Sequence, residues 1–312
     1  MKKFDTYAWL RVIGVCVALP IVAGCAKSSS SDSSSGPTAF SQWSNVQPGS
    51  TIQATGFSVQ RTYAIDKSTG QYSIVGGGSQ STSGATYTGL YDNSGNVALI
   101  TINNSSGYSF TFDRNQGDTL SNSSGLVGSY VNATNSAATN SGMFANAAAN
   151  GWNYQSFGVW VTGQGLGAGA VGAVTYGNPT TTLPTTGAYT FTGLSNAVAI
   201  TSASTAGFAT ANMSAAVDFG AQTVVISTSN TILTNSTIAK NITSTSAAPQ
   251  LNYSGLLVFN GTQFSGVVAN GAGMSGNAQG QFYGPAAQEI GGTFAMTGSG
   301  VQSMTGAFGG KR

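Results

Sequence analysis

The chain has 312 residues, of which 6% are charged and none is histidine, against roughly 25% charged residues in ordinary soluble domains. Lys+Arg is 10 and Asp+Glu is 8; setting aside Lys2, Lys3, Arg11 and Asp5 leaves seven of each, so the rest is formally neutral. This composition excludes the basic stripe of a nucleic-acid protein, a Ser-His-Asp triad and the commonest metal ligand.

The first two dozen residues read as an export signal. Lys2, Lys3 and Arg11 form a basic start, and Val12 to Ala23 form an apolar run broken by Pro20. That run is shorter than the ~20 residues a membrane span needs and fits a secretory signal. It ends in Val22-Ala23-Gly24-Cys25, which resembles the lipobox of bacterial lipoproteins. The resemblance implies cleavage after residue 24, diacylation of the Cys25 sulfur and acylation of the new amine. Several buried chains, at about 0.8 kcal/mol per methylene, make a stable anchor. Residue 26 is Ala rather than Asp, so nothing resembles an inner-membrane retention signal, and outer-membrane placement is the expectation. The other cysteine, Cys16, lies in the signal, so no disulfide, thiolate chemistry or Cys-rich zinc site is expected in the mature chain.

Residues 25–38 are rich in serine and read as a flexible tether. Beyond them, 44 glycines accompany 15 Phe, 12 Tyr and many Val and Ile in alternating runs. That is the pattern of an all-β protein with many turns, and about 275 residues suggest two modest domains.

Residues 39–130 form the first of these. Tyr63 and Ile65 lead through Asp66-Lys67-Ser68-Thr69-Gly70 to Tyr72 and Ile74. Tyr87 to Tyr91 lead through Asp92 to Asn96 into Val97 to Ile102. Tyr108, Phe110 and Phe112 alternate with Ser109, Thr111 and Asp113, as on a half-buried antiparallel strand. Residues 131–150, rich in Ala and Asn, show no strand pattern and read as a linker with a short helix.

Residues 151–312 carry regular strands. Phe157, Val159 and Val161 alternate with Gly158, Trp160 and Thr162; Met213, Ala215, Val217 and Phe219 alternate with Ser214, Ala216 and Asp218. Further strands are predicted near 222–229, 253–259, 263–269, 278–283, 292–297 and 303–309. Roughly eight strands with short turns predict a closed up-and-down barrel, which leaves no exposed edge.

This second segment resembles the β-barrel of transferrin-binding protein B and related surface lipoproteins, among them factor H-binding protein. Tyr154 to Trp160 looks like an opening barrel strand. Leu183-Pro184-Thr185-Thr186-Gly187-Ala188-Tyr189 looks like the family's Pro-Thr-Ser-Gly…Tyr strand, and Val217-Asp218-Phe219-Gly220 like its Val-Asp-Phe-Gly corner. Gly280-Gln281-Phe282-Tyr283-Gly284-Pro285-Ala286-Ala287-Gln288-Glu289-Ile290-Gly291-Gly292-Thr293-Phe294 carries the family's Gly-Pro…Glu…Gly-Gly…Phe pattern, and Gly306 to Arg312 its ending. The resemblance implies an eight-stranded antiparallel barrel preceded by a smaller β-rich handle-like domain. It also implies outer-membrane anchoring, surface display and binding of an extracellular protein or iron-source ligand. The family's transferrin-contacting loops have no counterpart here. Trp160, Pro184, Gly187, Tyr189, Asp218, Phe219, Gly284, Pro285, Glu289, Gly291, Gly292 and Phe294 are the motif residues, and their roles are structural.

Glu289 is the only glutamate; a carboxylate just before a strand is expected to accept backbone or Arg hydrogen bonds at a barrel corner. Asp66 and Asp92 fit turns, and Asp32 lies in the tether. Asp113 and Asp118 flank Asn115-Gln116-Gly117 without an EF-hand's ligands and spacing, so turn chemistry is the reading there. Gly163-Gln164-Gly165-Leu166-Gly167 follows a strand but precedes no helix, so a glycine-rich hairpin is expected rather than a phosphate site. Trp43, Trp152 and Trp160 are expected in packing ahead of ligand contact.

No catalytic, metal or cofactor site is expected. Haem capture would have to use Tyr or Met in place of the usual His. The leading functional reading is a binding lipoprotein, anchored through Cys25 and displayed at the outer membrane. The alternative is a structural envelope lipoprotein without a specific ligand. An integral membrane barrel is disfavoured because many strands carry Ser or Thr on one face, where a lipid-facing band would be apolar.

Overall fold

The computed structural model describes residues 36–75, 79–104, 109–121, 125–131, 139–164, 167–236 and 242–312. Cys25, the signal and most of the tether lie outside the described residues, as do Tyr108, Gly165 and Leu166.

Two sheets account for the fold, antiparallel throughout except for the short parallel pairing of the first strand. The first contains β1 (Thr38–Ala39), β2 (Thr51–Ile65), β3 (Tyr72–Ile74), β4 (Ser79–Tyr91), β5 (Val97–Asn103), β6 (Ser109–Asp113), β7 (Thr119–Ser121), β8 (Val127–Val131), β9 (Thr139–Ala145), β10 (Gln155–Gln164) and β11 (Ala168–Gly177). Its order is β6-β5-β4-β2-β11-β10-β9-β8-β7, with β1 and β3 also paired to β2. The second contains β12 (Ala188–Ser202), β13 (Thr205–Asp218), β14 (Thr223–Ser236), β15 (Ile242–Ala247), β16 (Tyr253–Asn260), β17 (Gln263–Asn270), β18 (Ser275–Tyr283), β19 (Glu289–Thr297) and β20 (Ser303–Lys311). Here β13 pairs with both β12 and β14, and β12 pairs with β20, so eight strands close into an antiparallel barrel with β15 appended to β14. The all-β class and the closed eight-stranded barrel behind a second, curled sheet agree with the expectation from sequence.

The barrel starts later than the sequence suggested. β10 and β11, placed by their alternation in a barrel segment running from 151, pair with β9 and β2 in the first sheet. The reason is that both faces of this hairpin are buried. Trp160, Val174 and Tyr176 point into the first sheet's core, while Phe157, Val159, Val171 and Ala173 belong to a cluster shared with Val198, Ala295 and Ala307 of the barrel. Alternation reports which side chains are buried, not which sheet a strand joins. The predicted linker at 131–150 is likewise corrected: Thr139–Ala145 is β9, paired to β8 and β10. A turn, not a helix, occupies 147–151.

The barrel's interior is aromatic and aliphatic. Phe191, Leu257, Phe264, Phe282, Phe294 and Phe308 are almost fully buried there. On β19 and β20 the outward face is buried as well, beneath the first sheet. That second burial explains the residue choice: Ile290, Phe294 and Met296 point in, while Gly291, Thr293 and Ala295 point out. Small outward residues let two sheets approach closely.

Candidate functional site

Three places carry the motif residues or an exposed surface: the junction between the sheets, one end of the barrel, and the barrel's outer wall.

The junction is organised by Glu289, the first residue of β19 and 3% exposed. Its Oε1 accepts the Asn153 amide at 2.6 Å, and its Oε2 accepts the Tyr154 and Gln155 amides at 2.9 Å each. These amides lead into β10, so one barrel carboxylate fixes the start of a first-sheet strand. Burial pushes this carboxyl above the usual glutamate range, while the three amides and Lys311 pull it back. The same segment is held by Lys311 Nζ donating to Gly151 O at 3.0 Å and by Trp43 Nε1 donating to Gln155 O at 2.9 Å. Thr175 and Tyr283 share a hydroxyl contact of 3.0 Å, and burial raises the Tyr283 phenol to about 12. Gly291 belongs here, since a Cβ on it would lie 2.5 Å from Thr175 Oγ1. Among the described residues, the buried side-chain polar atoms of Gln155, Asn196 and Thr293 have no hydrogen-bond partner, so the junction is held by few polar contacts and Glu289 makes three of them.

The barrel end gathers the second group. Asp218 Oδ1 accepts the Gly220 and Ala221 amides at 2.9 Å, an Asx turn that starts the β13–β14 hairpin. Phe219 follows and packs its ring against Phe282 at 5.2 Å and Tyr189 at 5.9 Å. Gly187 holds φ +100 and its carbonyl accepts the Phe219 amide at 3.0 Å. Tyr189 is 42% exposed, with the Arg312 guanidinium 4.1 Å above its ring. Pro184 and Leu183 border an open groove of about 360 Å³ over Phe219 and Phe259. Across the end, the turn from β18 to β19 contains Gly284 and Pro285; Gly284 has φ +85 and bonds Asn178 and Thr180 through its backbone. Phe294 lies inside, 4.5 Å from Tyr253. Gly292 faces the interior, with Phe308 where its side chain would be.

Trp160 is therefore apart from the other motif residues: it is 1% exposed in the first sheet's core, 5.9 Å from Phe110. Trp152 is buried and packs on Phe157. Asp66 and Asp92 accept amides of their own turns, and Asp113 and Asp118 do the same around Gly117. Hydrogen bonds from Ser68 hold the Asp66 carboxyl below the usual aspartate range, and those from Asn96 and Ser94 hold Asp92 there. Among the described residues, no group of three or more acidic, Cys or His side chains is placed to hold a metal.

The outer wall carries a feature that the sequence reading missed. Val225, Leu256 and Val267 are 50–60% exposed and sit directly opposite one another on β14, β16 and β17. Val258, 53% exposed, extends the patch along β16. Beside it runs a hydroxyl row, Thr192–Ser214–Ser227–Ser254, in register across β12, β13, β14 and β16. β16 lies four strands around the ring from β20, the strand beneath the first sheet. The signal was present in the run Leu256-Leu257-Val258: Tyr253 and Leu257 point in, so Leu256 and Val258 must point out.

Residues 183–312 match the family model described as C-lobe and N-lobe beta barrels of Tf-binding protein B. Among solved structures, similar chains include the transferrin-binding protein B mutant Trp-176-Ala from Haemophilus parasuis Hp5, at 13% identity and TM-score 0.40, covering 85% of this chain and 78% of that one. Isotype 1 transferrin-binding protein B from serogroup B Neisseria meningitidis matches at 13% identity and TM-score 0.33, covering 85% and 77%. The N-lobe of lactoferrin-binding protein B from Moraxella bovis matches at 15% identity and TM-score 0.31, covering 51% and 76%. No curated protein matches the sequence.

Proposed function

We propose, for a chain whose residues 183–312 match the family model of the Tf-binding protein B barrels, that it is a non-catalytic binding lipoprotein. In this reading it is anchored in the outer membrane through Cys25, faces the outside of the cell and engages an extracellular protein. The observation that carries the reading is the exposed Val225–Leu256–Val267 row with Val258 beside it. Contiguous exposed aliphatics rimmed by hydroxyls mark interaction sites, and a nearly neutral wall favours apolar contact over long-range steering. The family match supports a binding role and leaves the partner's identity to experiment. Transferrin and lactoferrin head the panel because the matched family and neighbours are named for them.

Leu256 occupies the centre of the row. The full chain is immobilised and offered extracellular proteins, transferrin and lactoferrin first. Leu256→Ser is expected to weaken a true partner by about thirtyfold, the effect of removing an interface anchor worth ~2 kcal/mol. A panel with no binder, or a binder indifferent to Leu256→Ser and Val267→Ser, would count against the reading. No binder at all favours the structural envelope lipoprotein.

A further inference from the structure

The sequence contains three Asn-Gly pairs, at 150–151, 260–261 and 270–271. In such a pair the glycine's backbone nitrogen, once it gives up its proton, attacks the carbonyl carbon of the asparagine side chain. A C–N bond forms, the ring closes and ammonia leaves. Water then opens the ring at either carbonyl, giving aspartate or isoaspartate. Glycine favours the attack because no Cβ hinders the approach. The reaction is intramolecular, so its rate depends on whether the two groups can meet in the right geometry. The fold treats the three pairs differently.

Two of the pairs are held. Asn150 Nδ2 donates to Leu126 O at 2.9 Å and to Asn146 O at 2.8 Å, and the Gly151 amide donates to Ala148 O at 3.0 Å. Asn270 Oδ1 accepts the Ala272 amide at 3.1 Å and the Met274 amide at 3.0 Å. Turning either side chain toward the following nitrogen breaks these bonds. Asn260 is placed otherwise. It closes the β16–β17 hairpin opposite Gln263, which leaves Gly261 and Thr262 as a two-residue loop. Gly261 has φ +64, as the first position of such a loop requires. Asn260 itself is exposed. Among the described residues, nothing bonds the Asn260 side chain or accepts the Gly261 amide. A Cβ built on Gly261 meets nothing within 4 Å, so the attack has open space around it.

We propose that Asn260 is a site of spontaneous deamidation, left reactive by the fold while Asn150 and Asn270 are protected. Asn260 lies on the outward face of β16 with Leu256 and Val258. Its conversion therefore sets a negative charge at the end of the aliphatic row, on a wall that is otherwise nearly neutral. The chemistry stands whether or not that row has a partner, so it can hold where the protein-binding reading fails. The full chain is kept in warm, mildly alkaline buffer, one sample folded and one unfolded in urea, with circular dichroism confirming each state. Peptide mapping by mass spectrometry then counts aspartate and isoaspartate at the three pairs over time. In the folded chain, conversion at Asn260 is expected to run at least about tenfold ahead of Asn150 and Asn270, because only there can the reacting groups meet. In urea the three pairs are expected to react at similar rates. An Asn260 that stays intact, or equal rates at the three pairs in the folded chain, would overturn the proposal. So would a lead of Asn260 that persists undiminished in urea, which would put the selectivity in local sequence and not in the fold.

Discussion

Replacing Glu289 by alanine is expected to lower the unfolding free energy by about 4 kcal/mol, because one buried and two part-buried amides lose a charged acceptor. The amides belong to Asn153, Tyr154 and Gln155, where the chain enters β10. A bond to a charged group contributes roughly 1.5–3 kcal/mol, and an orphaned buried donor costs about 1–3 kcal/mol. The sum over three is reduced because the carboxylate itself is costly to bury. Glu289→Gln separates charge from shape. It keeps the volume and one carbonyl oxygen, but its amide group sets N–H against N–H at the other position. Its expected cost is about half that of alanine, roughly 2 kcal/mol. Urea unfolding of the full chain measures both through the midpoint at constant slope. Two variants within ~0.5 kcal/mol of the parent, the range of ordinary surface changes, would show that Glu289 does not join the sheets.

The second large effect is expected at Gly292. A Cβ there would lie 2.5 Å from a Phe308 ring atom and 2.4 Å from the Gln279 carbonyl oxygen. Neither neighbour has room to retreat: Phe308 is fully buried in the barrel, and Gln279 is paired through its backbone to β19. Gly292→Val should therefore cost about 3 kcal/mol or more, the upper range of overpacking. Gly273→Ala provides the contrast, because nothing lies within 4 Å of its Cβ position but its φ is +80. There the expected cost is the left-handed backbone alone, about 1–2 kcal/mol. The thermal midpoints of the two variants order the effects. Equal losses would mean that backbone freedom, rather than space, keeps glycine at 292.

These two residues show which parts of the molecule could be read from sequence. The Gly280–Phe294 pattern contains one glycine at a positive φ, Gly284, and three needed for space, Gly280, Gly291 and Gly292. Around them Ile290, Phe294 and Met296 alternate with small residues, so the barrel strands were legible from period-two burial. The boundary between the sheets was not. Val159 and Trp160 are both buried, on opposite faces of β10, and nothing local tells such a strand which sheet to join. Thr139–Ala145 was missed as a strand because glycine and serine dilute Met143 and Phe144. The reach of Glu289 to residues 153–155 is a tertiary pairing across 134 positions or more, beyond any spacing rule. The aliphatic row was hidden differently, in a run of three large residues whose phase is fixed only by the inward Leu257.

The proposed role rests on the outer wall of the barrel facing the outside of the cell. With Cys16 in the signal and Cys25 acylated, the mature chain in this reading has no free thiol, so one introduced cysteine can report on one place. Leu256→Cys on intact cells, treated with a membrane-impermeant maleimide, tests it directly. The expected result is prompt labelling of Leu256→Cys, with the interior Phe282→Cys unlabelled until the protein is unfolded. Labelling of Leu256→Cys only after the outer membrane is permeabilised would contradict surface display and the extracellular partner with it.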